Sequence, residues 1–226
     1  SFWGPGFVLV AWIGQFAAAG EPARRGLLTA MVTVWGVRLA WHITSRSWGE
    51  PEDRRYREMG QEHGESFRYR SLVTVFWLQA GLLWAVSLVV QLGQWSPTPT
   101  QLGITGWMGA AIWLAGFTFE AVADYQLQRF KSDPGNKGKV MAQGLWRYSR
   151  HPNYFGEALA WWGIALVVLP TEQGLWALVS PCLITFLLLK VSGVTMAEKN
   201  IGSRRPGYQE YAERTNAFIP WFPREE

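Results

Sequence analysis

The stretch Leu72-Val-Thr-Val-Phe-Trp-Leu-Gln-Ala-Gly-Leu-Leu-Trp-Ala-Val-Ser-Leu-Val-Val-Gln-Leu92 carries no charged side chain. A helix needs about 20 mostly apolar residues to cross ~30 Å of hydrocarbon, so this stretch reads as a membrane span. Five more apolar runs accompany it: Phe2–Ala19, Leu27–Thr44, Ile104–Ala123, Phe155–Leu169 and Leu175–Val194. Some hold polar residues: Arg38 and His42 in the second span, Glu120 near the end of the fourth, Lys190 near the end of the last. Pro170 separates the last two runs, and the short link to Gly174 predicts a tight turn between antiparallel helices. The expected fold class is all-α, a polytopic membrane helical bundle of about six transmembrane helices. The chain opens at Ser1 without a Met, directly in apolar sequence, so a trimmed chain with one more helix ahead of it is a further expectation.

Composition agrees once it is read by segment. Hydrophobic residues make up 49% of the chain, yet mean hydropathy is near zero because dense charged loops offset the apolar runs. The 15 Trp serve as apolar bulk and as anchors at the headgroup boundary. The net charge of +4 comes from loops. Arg46 to Arg70, Arg129 to Arg150 and the tail from Lys199 to Arg214 are basic, whereas Gly93 to Gly103 has no charge. The positive-inside rule puts the basic segments in the cytoplasm, so the charge does not imply a nucleic-acid partner. Arg24 and Arg25 break this pattern, since they fall on the opposite side. The single cysteine, Cys182, excludes an internal disulfide and any Cys-rich metal site, and its apolar surroundings predict a buried thiol. No metal site is expected, because His42, His63 and His151 do not share a ligand spacing.

Two segments carry candidate chemistry. Glu120, Asp124 and Gln128 recur every fourth residue and so share one helix face. A carboxylate near the membrane core normally faces a bundle interior or a wet cavity, which makes this face a candidate ligand wall. The second segment is Gly144-Leu-Trp-Arg-Tyr-Ser-Arg-His-Pro-Asn-Tyr-Phe-Gly-Glu157. Contact with anionic lipid would account for Arg147 and Arg150, but not for the interleaved His151, Asn153, Tyr154 and Glu157. Pro152 pre-sets a helix start, and Asn153 is the expected N-cap of the fifth helix. A helix N-terminus flanked by arginines suits phosphates.

The run Arg150-His-Pro-Asn-Tyr-Phe-Gly-Glu157, preceded by Gly144-Leu-Trp, resembles the C-terminal domain of the steroid 5-alpha-reductase family, and most closely its bacterial branch of uncharacterised membrane proteins. The resemblance takes in Asp124-Tyr125, Phe130-Lys-Ser-Asp-Pro134, Glu198-Lys199, Arg204-Arg-Pro-Gly-Tyr208 and Phe218-Ile-Pro220. Trp35 to His42 and Gly49 to Tyr56 also look like that branch. Sterol reductases and isoprenylcysteine carboxyl methyltransferases carry related loops on a similar membrane core.

The resemblance implies one membrane domain over residues 1–226, in a bacterial inner membrane with its cofactor loops facing the cytoplasm. Residues 1–103 would form the substrate-side helices, and 104–226 the cofactor-binding core. It implies an NADPH-dependent reductase that saturates a C=C bond conjugated to a ketone in a steroid-like or other lipophilic substrate. The bilayer and that substrate are the expected partners, with no obligate protein partner. Asn153 and Asp124 match cofactor-contacting residues of the family, as do Tyr148 and Glu157. Glu120 stands where the animal enzymes have Asn, and Lys131 where they have Arg. Arg147, Arg150, His151, Arg204, Arg205 and Tyr208 complete the expected cofactor set. An Asn153→Asp change is expected to keep the cap and leave stability alone. The family's proton donors lie in its N-terminal half, where this chain has no acid before Glu21, so Tyr56, His42 and Glu50 are the catalytic candidates. Two alternatives compete: a methyltransferase using S-adenosylmethionine, and a non-enzymatic lipid-binding protein. The abundance of Arg and Lys favours a phosphate-bearing cofactor over S-adenosylmethionine, which has no phosphate.

Overall fold

Proline and glycine punctuate the chain where the helices break. The computed structural model describes residues 2–47, 76–191, 193–198 and 205–224. Its long helices are α1 (Trp3–Ala17), α2 (Pro22–Ser47), α3 (Leu78–Trp95), α4 (Ile104–Ser132) and α5 (Pro152–Val168). Four shorter ones follow: α6 (Gly174–Ala177), α7 (Val179–Phe186), α8 (Val194–Glu198) and α9 (Tyr208–Arg214). Leu187–Val191 prolongs α7 as a π-helical turn. Among the described residues there is no strand.

Helices occupy all six expected places, and among the described residues three are long and apolar enough to cross a membrane: Pro22–Arg46, Ile104–Ser132 and Gly174–Glu198. Two of the others, α1 and α5, stop short for local reasons. The 15 residues of α1 end before the Gly20-Glu-Pro22 break, and the 17 of α5 lie between Pro152 and Pro170. At ~1.5 Å per residue each falls below ~30 Å. The chain is an integral membrane protein built as a helical bundle.

The closest helix pair is α4 with α5, and glycines permit it. A Cβ on Gly116 of α4 would lie 2.5 Å from the Ala160 nitrogen, and one on Gly156 of α5 would lie 2.5 Å from the Glu120 nitrogen. Gly109 and Gly163 make equivalent approaches farther along the same seam. Lipid offers little hydrophobic drive for helix association, so backbone-to-backbone packing through small residues takes its place. Gly116→Ala should therefore cost roughly 1–3 kcal/mol through overpacking, read as a lower melting temperature in detergent. Gly81→Ala, where an added Cβ meets nothing within 4 Å, should not lower it.

An aromatic cluster joins α1, α2 and α5. Phe7 sits 5.6 Å from Trp35 and 4.8 Å from Trp161, and the two indoles meet edge to face at 5.4 Å. Such tilted contacts add to the burial that holds the bundle.

Arg24 and Arg25 break the charge pattern because both are consumed inside the fold. Arg24 is 1% exposed. Its guanidinium donates to the carbonyls of Gly93 (2.9 Å), Pro99 (3.0 Å) and Ser96, so it clasps the start of α2 to the end of α3. Arg25 donates to the Ala18 carbonyl. Glu21 caps α2, its carboxylate accepting from the amides of Ala23 at 2.8 Å and Arg24 at 2.6 Å. Cys182 also departs from expectation: it is exposed, on the outer face of α7, while Ser180, Pro181 and Ile184 turn inward.

Candidate functional site

Three helices place their polar faces around one space. Along α2, Trp35, Leu39, His42 and Arg46 follow at helical spacing; along α4 come Glu120, Asp124, Leu127 and Lys131. The first turns of α5 add Asn153, Tyr154 and Glu157, and Trp3 of α1 closes one side. Together they line a cavity of about 390 Å³. A second cavity of about 220 Å³ shares Arg46, Leu127, Lys131, Asn153 and Tyr154 with it. The two are thus an inner and an outer chamber that meet at Asn153 and Tyr154.

The inner chamber is acidic. Glu120 is 2% and Asp124 7% exposed, a costly placement for two carboxylates one turn apart. Arg38 offsets it by donating to both. The Trp35 indole donates to Glu120 Oε2 at 3.0 Å, and the Asn153 amide donates to Asp124 Oδ1 at 3.1 Å. His42 Nε2 lies 3.6 Å from Asp124 Oδ2. Glu157 lines the same chamber, within the electrostatic reach of Arg38, Glu120 and Asp124. Asn153 Oδ1 is buried without a partner, an acceptor left for a bound molecule.

The outer chamber is basic, with Lys131, Arg150, Arg205 and Arg46 on its walls. Arg150 is already engaged: Nη1 donates to the Ala212 carbonyl at 2.7 Å, and Nε lies 3.0 Å from Glu198. His151 Nε2 shares that carboxylate at 2.9 Å. Burial pushes the His151 imidazole below its ordinary value, with Glu198 pulling the other way. Burial, helped by Glu198, pushes the Tyr208 phenol up to about 12, so it stays a neutral donor. Burial likewise raises the Tyr211 phenol, which donates to the Trp146 carbonyl.

Of the residues expected from sequence, Glu120, Asp124, Lys131, Asn153, Glu157 and His42 line the inner chamber. Arg150, His151, Arg205 and Tyr208 line the outer one, with Lys131 and Asn153 shared. Arg147 is exposed on a separate groove beside Lys139 and Glu210, and the Tyr148 ring packs against Phe222 at 5.9 Å. Tyr56, Glu50 and Arg204 lie outside the described residues. The helix start differs from expectation, since His151 is the N-cap residue and Pro152 the first helical residue. Asn153 is therefore already inside the helix, and its side chain is turned to α4 instead of capping. Sequence reasoning missed Trp35 and Arg46; their signal was the spacing with Leu39 and His42 on the face of α2.

The C-terminal segment holds the loop before α5 in place. Ser149 Oγ donates to the Phe218 carbonyl at 2.8 Å, the Arg150 amide to Asn216 at 2.8 Å, and the Trp221 amide to Tyr148 at 2.9 Å. The tail thus supports the site without lining its inner chamber.

A helical membrane protein with an acidic inner chamber and a basic mouth is the class that fold and site define. The chain belongs to the family described as Protein of unknown function (DUF1295), whose model matches residues 1–215; it is a steroid 5-alpha-reductase-like family. Similar curated proteins are named 3-oxo-5-alpha-steroid 4-dehydrogenase 1. The Mus musculus protein is 35% identical over 75 residues, covering 33% of this chain and 29% of that protein. The Rattus norvegicus protein is 29% identical over 115 residues, covering 50% and 40%. The Homo sapiens protein is 30% identical over 79 residues, covering 34% and 30%. The matches thus span less than half the length of these relatives. No solved structure matches.

Proposed function

We propose that the chain is an NADPH-dependent membrane reductase that saturates a C=C bond conjugated to a ketone in a lipophilic substrate. One observation carries this reading: a chamber with a basic mouth is lined by Asn153, whose amide oxygen is buried without a partner. The residues fit such a cofactor. Lys131 and Arg205 would hold its phosphates, and the free Asn153 oxygen would accept from an amide group. Bound there, NADPH supplies a hydride. The protein would exclude water and fix the orientation of the substrate with the apolar wall of Trp3, Trp35, Leu39 and Ile43. The names of the similar proteins support a steroid-like enone, and the basic stretch 129–150 supports a cytoplasmic mouth, in a bacterial inner membrane. Phosphate-binding cations in the mouth favour this reading over a methyltransferase using S-adenosylmethionine.

The test is nucleotide binding to the purified protein in detergent. NADPH should bind more tightly than NADH. Asn153→Ala should weaken NADPH by about 1–3 kcal/mol, roughly 5- to 150-fold. Arg147→Ala, on the separate groove, should leave affinity unchanged. Asn153→Asp is a poor probe, because a new carboxylate would face Asp124 across 3.1 Å and disturb α4 as well. Equal NADPH affinity in wild type and Asn153→Ala would remove the basis for the reading.

A further inference from the structure

The loop before α5 has two sides. Arg150 and His151 line the outer chamber, whereas Arg147 stands exposed on a groove of its own. That groove, about 830 Å³, is lined by Lys139, Arg147, Tyr211, Arg214 and Pro223, with one acid, Glu210. Glu210 lies 3.3 Å from Arg214, so three cations against one carboxylate leave the groove basic. Beside it the C-terminal segment turns apolar side chains outward: Ile219, Trp221 and Phe222 are 63%, 66% and 74% exposed. The backbone beneath them is held. The Trp221 amide donates to the Tyr148 carbonyl at 2.9 Å and the Arg224 amide to the Arg214 carbonyl at 3.0 Å. The Phe222 ring meets Tyr148 edge to face at 5.9 Å, and Phe218 is turned inward onto Phe155 at 5.8 Å.

The depth of this face follows from a neighbouring ion pair. Arg150 Nε lies 3.0 Å from Glu198, the last residue of the candidate span Gly174–Glu198. The loop and the tail bonded to it therefore stand at the level where a span ends and hydrocarbon gives way to headgroups. An indole prefers that boundary, and cations beside it attract anionic lipid. We propose that this face is a docking site for anionic phospholipid, with Arg147 and Lys139 on the headgroup phosphate and Trp221 and Phe222 among the glycerol and upper acyl carbons. Charge decides the occupant. A second copy docked here would bring another basic groove toward this one, whereas an anionic headgroup complements it. The arrangement gives Arg147 a task that the chambers do not. One loop then grips the membrane surface on its outer side and lines the outer chamber on its inner side.

The experiment uses the whole chain in detergent micelles, titrated with dioleoyl phosphatidylglycerol or dioleoyl phosphatidylcholine and read by thermal unfolding. A molecule that binds the folded chain raises the melting temperature. Phosphatidylglycerol should raise it more than phosphatidylcholine. The concentration giving half that rise should increase about 5-fold in Arg147→Gln, and further in the double variant with Lys139→Gln. Lys137→Gln, which removes an exposed lysine from a different cavity, should match wild type. Inorganic phosphate should do no more than chloride at equal ionic strength. Depth is read in phosphatidylglycerol nanodiscs, in a Cys182→Ser background that removes the one cysteine. Lipid brominated on its upper acyl carbons should quench a bimane label on Phe222→Cys and leave one on Lys137→Cys bright. No preference for phosphatidylglycerol, a preference that survives the double variant or is lost equally in Lys137→Gln, or an unquenched label at 222 would each overturn the proposal. A concentration-dependent dimer that Trp221→Ala with Phe222→Ala dissolves would also overturn it, giving the face to a second copy.

Discussion

Arg38→Met is expected to lower stability by about 3–5 kcal/mol, because it leaves buried carboxylates without their cation. Arg38 bridges two groups, Glu120 and Asp124, which are 3% and 8% exposed at the side chain. Besides Arg38 they meet Trp35 and Asn153, neutral donors that leave the charge in place, and His42 Nε2 at 3.6 Å from Asp124. Arg38→Lys should recover only part of the loss, since one ammonium cannot present a planar fork to two carboxylates. The double variant Arg38→Met with Glu120→Gln should be more stable than Arg38→Met alone, a non-additivity that marks the pair as coupled. The measurement is thermal unfolding of all three in detergent. An Arg38→Met protein that melts with wild type would show that the carboxylates do not depend on this cation.

The second large effect is expected at Arg24, on the opposite side of the bundle. Arg24→Met removes one guanidinium and strands three carbonyls, those of Gly93, Ser96 and Pro99. Hydrogen bonds to a charged group are worth about 1.5–3 kcal/mol each, and stranded acceptors partly relax, so a loss of roughly 3 kcal/mol is expected. Arg25→Met, which removes a single bond to the Ala18 carbonyl, should cost markedly less. Equal melting temperatures for the two variants would refute the clasp.

Much of the helical plan was legible because membrane spans announce themselves by length and polarity. Periodicity also placed Glu120 and Asp124 on one face, and the structure puts both on one chamber wall. Arg38, a cation inside a span, is expected to pair with an acid of the bundle or reach the cofactor, and it pairs with acids. What escaped was which ones, since nothing local in α2 says that it bridges the carboxylates of α4, 82 and 86 residues away. Arg24 and Arg25 looked like a topological exception because a charge rule counts side chains without seeing the carbonyls that absorb them. The Asn153 cap was misplaced by two residues because Pro152 fills the first helical position, which left the Asn side chain free to reach α4. Arg147 and Tyr148 sat in a motif dense with chemistry, yet a single 3₁₀ turn at Gly144–Arg147 directs them away from the chambers.

The glycine seam between α4 and α5 bears on how a mutational scan of this protein must be interpreted. Gly156 lies between Asn153 and Glu157, in the middle of the segment richest in functional side chains, and its Cβ would strike the backbone of α4. Substitutions there will abolish activity as thoroughly as loss of a reacting group, although glycine has no side chain to react. Intolerance at 109, 116, 156 and 163 is therefore a footprint of clearance, with a heptad rhythm along each helix. An activity screen alone would merge that footprint with the chemical one. Scoring each variant for folded yield as well as turnover separates them, since clearance positions lose both together and reacting positions lose only the second.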